Sequence, residues 1–74
     1  LVHRRMREQA ILDCIRDGKA TVNDIVPVIY KGLDPRLVNA ASLSVLAHVE
    51  HLVERGLVVS AAHPPTRDGV LSAV

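Results

Sequence analysis

Residues 34–56, DPRLVNAASLSVLAHVEHLVERG, carry the strongest structural signal in the chain. Asp34 can cap the free amides of a first helical turn, Pro35 suits the first helical position, and Gly56 can adopt the left-handed conformation that stops a helix. We therefore predict one long helix here. The residues that gather on its predicted core-facing side are Leu37, Ala41, Ser44, Val45, His48, Val49 and Leu52.

The segments after this helix have the pattern of a β-hairpin. LVVS, residues 57–60, is a β-branched run that suits a strand, and VLSAV, residues 70–74, can return as its partner. Residues 61–69, AAHPPTRDG, contain two consecutive prolines and an Asp-Gly turn signal, so they are predicted to form the loop. Residues 20–22 could add a short third strand.

Two shorter helices are predicted before residue 34. The first covers residues 4–17 and ends at Gly18. The second starts after Thr21, a predicted N-cap, and runs to about Tyr30, with Pro27 expected to bend or shorten it. The residues expected to turn inward from these helices are Ile11, Leu12, Cys14, Ile15, Ile25, Val28 and Ile29. The fold class predicted for residues 1–74 is a single, mainly α domain with a small β-hairpin, a winged helix-turn-helix of three helices plus a wing.

Composition limits what this domain can do alone. The chain is 49% hydrophobic and 1% aromatic, so its core must be aliphatic and offers almost no ring for stacking. Nine basic and eight acidic residues give a formal charge of +1, far from the basic profile of a self-sufficient nucleic-acid binder. No apolar run approaches a membrane span, and no segment resembles a signal peptide, so we expect no membrane partner and a cytoplasmic location.

No catalytic residue and no metal ligand is predicted among these residues. His48 and His51 are three apart, close enough on a helix to share a metal, but no third ligand is evident and packed or boundary histidines are the better interpretation. Cys14 is the single cysteine and is expected to be a small core residue rather than a nucleophile. The chain starts with Leu1 instead of Met, which favours a piece excised from a longer protein.

Two surfaces are candidates for binding. The first is a basic cluster at the start of the chain, which could contact another domain or a phosphate, or could be a solvated helix start partly neutralised by Glu8. The second is the outer face of the long helix, where two glutamates oppose phosphate binding and the apolar residues favour contact with protein. The candidate domain or phosphate contacts are His3, Arg4, Arg5, Arg7 and Arg36, and the candidate protein-contact face is Leu43, Leu46 and Ala47.

Three segments resemble one known family. HRRMREQAILDCI (residues 3–15), TVNDIVPVIY (21–30) and AASLSVLAHVEHLVERGLV (40–58) are similar to the C-terminal winged-helix domain of metallo-β-lactamase-fold hydrolases, the β-lactamase-like protein 2 group. The matching patterns are His-Arg-x-x-Arg-Glu, Ile-Val-x-x-Ile-Tyr, and Ala-His-x-x-x-Leu followed by x-x-x-Gly. Val49 replaces the usual Leu, and residues after Ser60 carry no family signal.

The resemblance implies an accessory role. In that family an upstream domain hydrolyses the substrate, and its His-x-His-x-Asp-His motif holds two metal ions, usually zinc. No such motif occurs here, so the resemblance implies no cofactor in this chain, zinc in the parent catalytic domain, and that domain as the partner. Two alternatives stay open from the residues. One is the DNA-binding domain of a winged-helix transcriptional regulator, and the other is a dimerisation module using Leu43, Leu46 and Ala47.

Overall fold

Three helices and a two-stranded antiparallel sheet form the domain in a computed structural model, which describes the backbone of residues 2–74 and the side chains from Arg5 onward. The order is α1 (Val2–Arg16), α2 (Val22–Ile29), a 3-10 turn (Pro35–Leu37), α3 (Val38–Glu54), β1 (Val58–Ser60) and β2 (Leu71–Ala73). Strands β1 and β2 pair with Val59 opposite Ser72. The predicted winged helix-turn-helix is confirmed.

Helix α3 ends where the glycine signal predicted. Gly56 has φ of 75°, and its N–H donates to the Val53 carbonyl at 3.0 Å. The next amide, of Leu57, donates to the Leu52 carbonyl, also at 3.0 Å. These two bonds satisfy carbonyls that the helix leaves free at its end. The chain therefore reverses sharply at Gly56 and leads directly into β1.

The start of the long helix differs from the prediction. Asp34 does act as a cap, but the Asp34 carboxylate accepts the Arg36 amide at 2.9 Å in a 3-10 turn, and the α-helix itself begins at Val38. Pro35 opens this tighter turn, where its missing N–H costs nothing. The change of winding turns Leu37 outward, and its side chain is 53% exposed instead of facing the core.

The buried stripe of α3 is also rotated from the predicted one. The predicted core position of Ser44 is wrong, since Ser44 is exposed, while Ser42 is 2% exposed. Each residue turns a helix by about 100°, so Ser44 lies that far from Val45 at the centre of the stripe, whereas Ser42 lies closer on the other side. The remaining predicted core positions of α3 are buried or nearly so.

Helix α2 starts after the predicted cap, Thr21, and continues past Pro27. The Thr21 hydroxyl accepts the Asp24 amide at 3.2 Å. Pro27 lies inside the helix, which nevertheless continues to Ile29, one residue short of the predicted end. The inward assignment of Val28 is wrong, since it is 40% exposed, and Val26 is buried instead.

The core is aliphatic, as the composition required, and receives side chains from all three helices and both strands. Its buried apolar residues are Ile11, Leu12, Cys14, Ile15, Val22, Ile25, Val26, Ala41, Val45, Val49, Leu52, Val58 and Leu71. The predicted third strand at residues 20–22 is reduced to one bond, from the Leu71 amide to the Ala20 carbonyl at 2.7 Å. That bond holds β2 against the segment before α2.

Candidate functional site: a buried glutamate and the cleft beside it

Glu8 is a charged residue in a position normally occupied by an apolar one. It lies on α1 three and four residues before the core residues Ile11 and Leu12, and therefore on the same helix face. Only 6% of Glu8 is exposed. A glutamate is buried to this extent only where partners compensate the lost solvation, so its partners define the site.

All partners of Glu8 come from α3 and its last turn. The His51 Nδ1 lies 2.9 Å from Glu8 Oε1 and 3.0 Å from Oε2, and Arg55 Nη1 donates to Oε1 at 3.0 Å. The His48 Nδ1 stands at 3.5 Å from Oε2. Positions 48, 51 and 55 share one helix face because they are spaced by three and four residues. An ionised carboxylate only accepts, so His51 donates its Nδ1–H.

These donors keep Glu8 ionised. Burial by itself would raise the pKa of Glu8, because the charged form loses its water. Hydrogen bonds from His51, Arg55 and His48 outweigh burial, and the pKa of Glu8 lies below its ordinary value. The cluster is therefore an ionic connection between α1 and the carboxyl end of α3.

The two histidines are structural partners of a carboxylate. The side chain of His48 is 15% exposed and that of His51 is 45% exposed, which matches the predicted packed and boundary positions. In the part of the chain with described side chains, no group of three or more His, Cys, Asp or Glu residues is arranged to hold a metal ion. The sequence interpretation missed Glu8 itself, which was treated as a solvated neighbour of the arginines.

An open cleft of about 570 Å³ lies beside this cluster, between α1 and the end of α3. Arg5 lines it from α1, and Arg55 lines it from the turn that ends α3. Glu8 of α1 and His51 of α3 also line the cleft. The other residues that line the cleft are Gln9, Leu12, Leu52 and Leu57.

The predicted basic cluster does not form a single surface among the described side chains. Arg5 faces the cleft, but the Arg7 guanidinium stacks over the ring of Tyr30, the residue after α2, at 4.6 Å from the ring centroid. Arg5 and Arg7 diverge because two residues turn a helix by about 200°. Arg36 pairs with Asp34 at 2.9 Å, which lowers the pKa of the Asp34 carboxyl. The side chains of His3 and Arg4 lie outside the described residues.

The predicted protein-contact face of α3 is partly open. Leu43 is 53% exposed and Ala47 is exposed, while Leu46 is half-buried against the core. Residues 61–70 connect β1 to β2 and are called the wing loop. Beside the exposed face of α3, the guanidinium of Arg67 in this loop donates to the Asn39 side chain. The wing cation that could have met a phosphate is therefore hydrogen-bonded to α3.

The wing loop is also fastened to α2. The Asn23 side-chain amide donates to the Asp68 carboxylate, and the Asn23 backbone amide donates to the Arg67 carbonyl at 3.3 Å. Together with the bond between Arg67 and Asn39, these contacts connect the wing loop to two helices. The loop is held against the helical part of the domain rather than projecting from it.

Cys14 has the character of a core residue. It is 7% exposed. Burial, with smaller contributions from the carboxylates of Asp17 and Asp13, raises the pKa of the Cys14 thiol. The thiolate is the nucleophilic form, and a raised pKa keeps the group protonated near neutral pH.

Between residues 2 and 74, no helix combines the length and apolar character needed to cross a bilayer.

Comparison with known families identifies the family of this domain. No curated protein matches the chain. Residues 21–68 match the beta-lactamase associated winged helix domain. That range contains α2, α3 and β1 with most of the wing loop, well over half of the 74 residues. The chain belongs to the beta-lactamase associated winged helix domain family.

Proposed function

We propose that this domain is a non-catalytic accessory module of a metal-dependent hydrolase. It packs on a catalytic domain of beta-lactamase fold in the same protein and helps shape the access of substrate. The observation that carries the proposal is the family match over residues 21–68. Zinc is the metal proposed for the catalytic domain, and no residue of this chain is assigned to it. The cytoplasm is its proposed compartment.

The outer face of α3 supports contact with protein. Leu43 at its centre exposes an apolar side chain, and Ala47 one turn later is small enough to allow close approach. Glu50 and Glu54 continue this face with negative charge, which opposes phosphate. An interface core is typically apolar and poor in charge, with charged residues at its rim. Leu43 and Ala47 fit the centre of such an interface, and the glutamates fit its edge.

The DNA-binding alternative gains little support from the described side chains. A winged helix that reads DNA needs polar side chains free to reach base edges and cations free to reach phosphates. Asn39 on α3 is hydrogen-bonded to Arg67 of the wing, and Arg36 pairs with Asp34. The bond to Arg67 occupies the Asn39 side chain, whereas Arg36, with its side chain 89% exposed, is held only by a solvent-exposed pair.

Two experiments test the proposal. The first is to determine the complete reading frame that contains this chain, which should encode an upstream beta-lactamase-fold domain with a His-x-His-x-Asp-His motif. A reading frame without that motif would show that the proposal is wrong.

The second experiment introduces Leu43→Glu into the complete protein. We expect the domain to detach, seen as a larger radius of gyration by small-angle scattering and faster proteolysis between the domains. The matched control is Val59→Glu, since Val59 is equally exposed at 55% but lies on β1. In the isolated domain, Leu43→Glu should change the free energy of unfolding by no more than about 0.5 kcal/mol because the site is exposed. Equal behaviour of the two variants in the complete protein would contradict docking through α3.

A further inference from the structure

The cleft between α1 and α3 has an excess of positive charge. Arg5 and Arg55 contribute two positive charges and Glu8 contributes one negative charge, so these three side chains together leave a balance of about +1. Among the side chains from Arg5 onward, no carboxylate forms an ion pair with Arg5. The surplus charge faces an open space large enough for a ligand.

Glu8 accepts only part of the hydrogen bonds that the N–H groups of Arg5 and Arg55 can donate. Both Glu8 oxygens already accept hydrogen bonds, from His51 and from Arg55. Arg55 donates to Glu8 through Nη1 alone, and a guanidinium has five N–H donors in a fixed planar fork. The bond to Glu8 thus orients Arg55 while most of its donors remain for another acceptor. Arg5 lines the same cleft and has its own guanidinium fork.

We propose that this cleft binds a single carboxylate group carried on an apolar body. A guanidinium fork matches the two oxygens of a carboxylate, and one negative charge balances the excess in the cleft. Leu57 is partly exposed and lines the same space as the almost fully buried Leu12 and Leu52, so an apolar neighbour of the carboxylate can contact Leu57. The volume, about 570 Å³, lies within the range of small-ligand sites.

Phosphate fits this cleft less well. A phosphate monoester carries about −1.5 to −2 charges near neutral pH, more than the cleft can balance. Its oxygens would also lie near the ionised Glu8 carboxylate and near leucine side chains. The carboxylate can come from a Glu or Asp side chain of a polypeptide or from a small free acid. The site itself does not depend on docking to a beta-lactamase-fold partner.

The test is an NMR titration of the ¹⁵N-labelled chain with four probes. The capped tripeptide Leu-Glu-Leu should shift the amide signals around Arg5, Gln9 and Arg55 in a saturable way. Its neutral counterpart Leu-Gln-Leu should bind at least about fivefold more weakly, because it lacks the charge-assisted hydrogen bonds. The third probe, 4-methylpentanoate, distinguishes the two sources of the carboxylate. If it binds as tightly as the tripeptide, the ligand is a small free acid. If it binds more weakly, the ligand is a carboxylate side chain of a polypeptide. Inorganic phosphate is the fourth.

A matched pair of variants isolates the cleft. Arg5→Gln should weaken Leu-Glu-Leu about fivefold or more, whereas Arg16→Gln, an exposed arginine at the other end of α1, should leave the affinity unchanged. Arg5 is exposed, so its replacement leaves the fold intact, which the amide spectrum verifies. The proposal is overturned by equal binding of the two tripeptides, by tighter binding of phosphate, by equal effects of the two variants, or by the absence of saturable shifts.

Discussion

Replacing the buried carboxylate should cost this domain a large part of its stability. Glu8→Gln keeps the size of the side chain but removes its charge. It also places an amide group where His51 and Arg55 donate to a carboxylate. With its carbonyl at the Oε1 position, the glutamine can still accept from His51 and Arg55, but these bonds lose the charge of the carboxylate. Its NH₂ group then stands at the Oε2 position, where it meets the Nδ1 atoms of His51 and His48 instead of accepting from them. A buried donor without an acceptor is costly, and this mismatch sets the direction of the effect.

The magnitude follows from the contacts and their exposure. Two donors make charge-assisted hydrogen bonds to Glu8, each contributing about 1.5–3 kcal/mol when well shielded. The donor side chains are not well shielded, since His51 is 45% exposed and Arg55 is 55% exposed, so solvent weakens both bonds. We therefore expect a loss of about 2 kcal/mol. In a domain of this size that corresponds to a decrease in Tm of about 8–16 °C.

Urea unfolding followed by circular dichroism measures the loss, and Asp13→Asn is the matched control. Asp13 lies on the same helix but is exposed, and it accepts only the Gln9 side chain at 3.0 Å. The control should change the free energy of unfolding by no more than about 0.5 kcal/mol. If Glu8→Gln costs no more than Asp13→Asn, the cluster does not stabilise the domain and the reasoning is refuted.

The pH dependence of the unfolding free energy, compared between the parent chain and Glu8→Gln, tests the ionised state of Glu8. The pKa of Glu8 is lower in the folded chain than its ordinary value of 4.5, so the folded state favours the ionised form. The stability from this difference is fully present above 4.5 and is lost as the pH falls through the lower folded pKa. The difference in unfolding free energy between the parent chain and Glu8→Gln should therefore narrow as the pH falls below 4.5 and through the lower folded pKa of Glu8. A difference that widens with acid would contradict the assigned sign.

Substitutions at three further positions, Thr21, Gly56 and Arg7, test local features by thermal unfolding. Thr21→Ala removes the cap that accepts the Asp24 amide and should cost about 1 kcal/mol, whereas Thr21→Ser should retain most of the stability. Gly56→Ala places a side chain at φ of 75° and should cost about 1–2 kcal/mol from the backbone alone, because no atom lies within 4 Å of the added Cβ. Gly56→Asn should cost less. Arg7→Gln removes the stacking on Tyr30 and should cost about 0.5–1 kcal/mol. An unchanged Tm in any of these three would show that the corresponding contact is not stabilising.

The order of the elements could be predicted because local chemistry marks their ends. Thr21, Gly18 and Gly56 each act through backbone groups only a few residues away, so their effect can be inferred without knowing the rest of the fold. The errors arose where the local signal was incomplete. Asp34 and Pro35 mark the start of a helix, but they do not distinguish a 3-10 turn from an α-helical one.

The site could not be predicted for a different reason. Glu8 and His51 are separated by 43 residues along the chain, and no periodic pattern connects them. A charged residue beside a run of arginines is normally solvated, and only the packing of α1 on α3 makes Glu8 an interior residue. One clue was present in the spacing, since Glu8 shares a helix face with Ile11 and Leu12. The cleft required the full arrangement of both helices.

The attachment of β2 has a consequence for how the domain folds. Leu71 is 4% exposed in the core, and its amide is bonded to the carbonyl of Ala20, about fifty residues earlier. Closing so long a segment costs chain entropy that grows with the logarithm of its length. The short helices of this domain gain most of their stability from tertiary packing, to which β2 contributes. A chain lacking β2 would lose the buried Leu71 side chain and the bond to Ala20, which leaves the shared core incomplete.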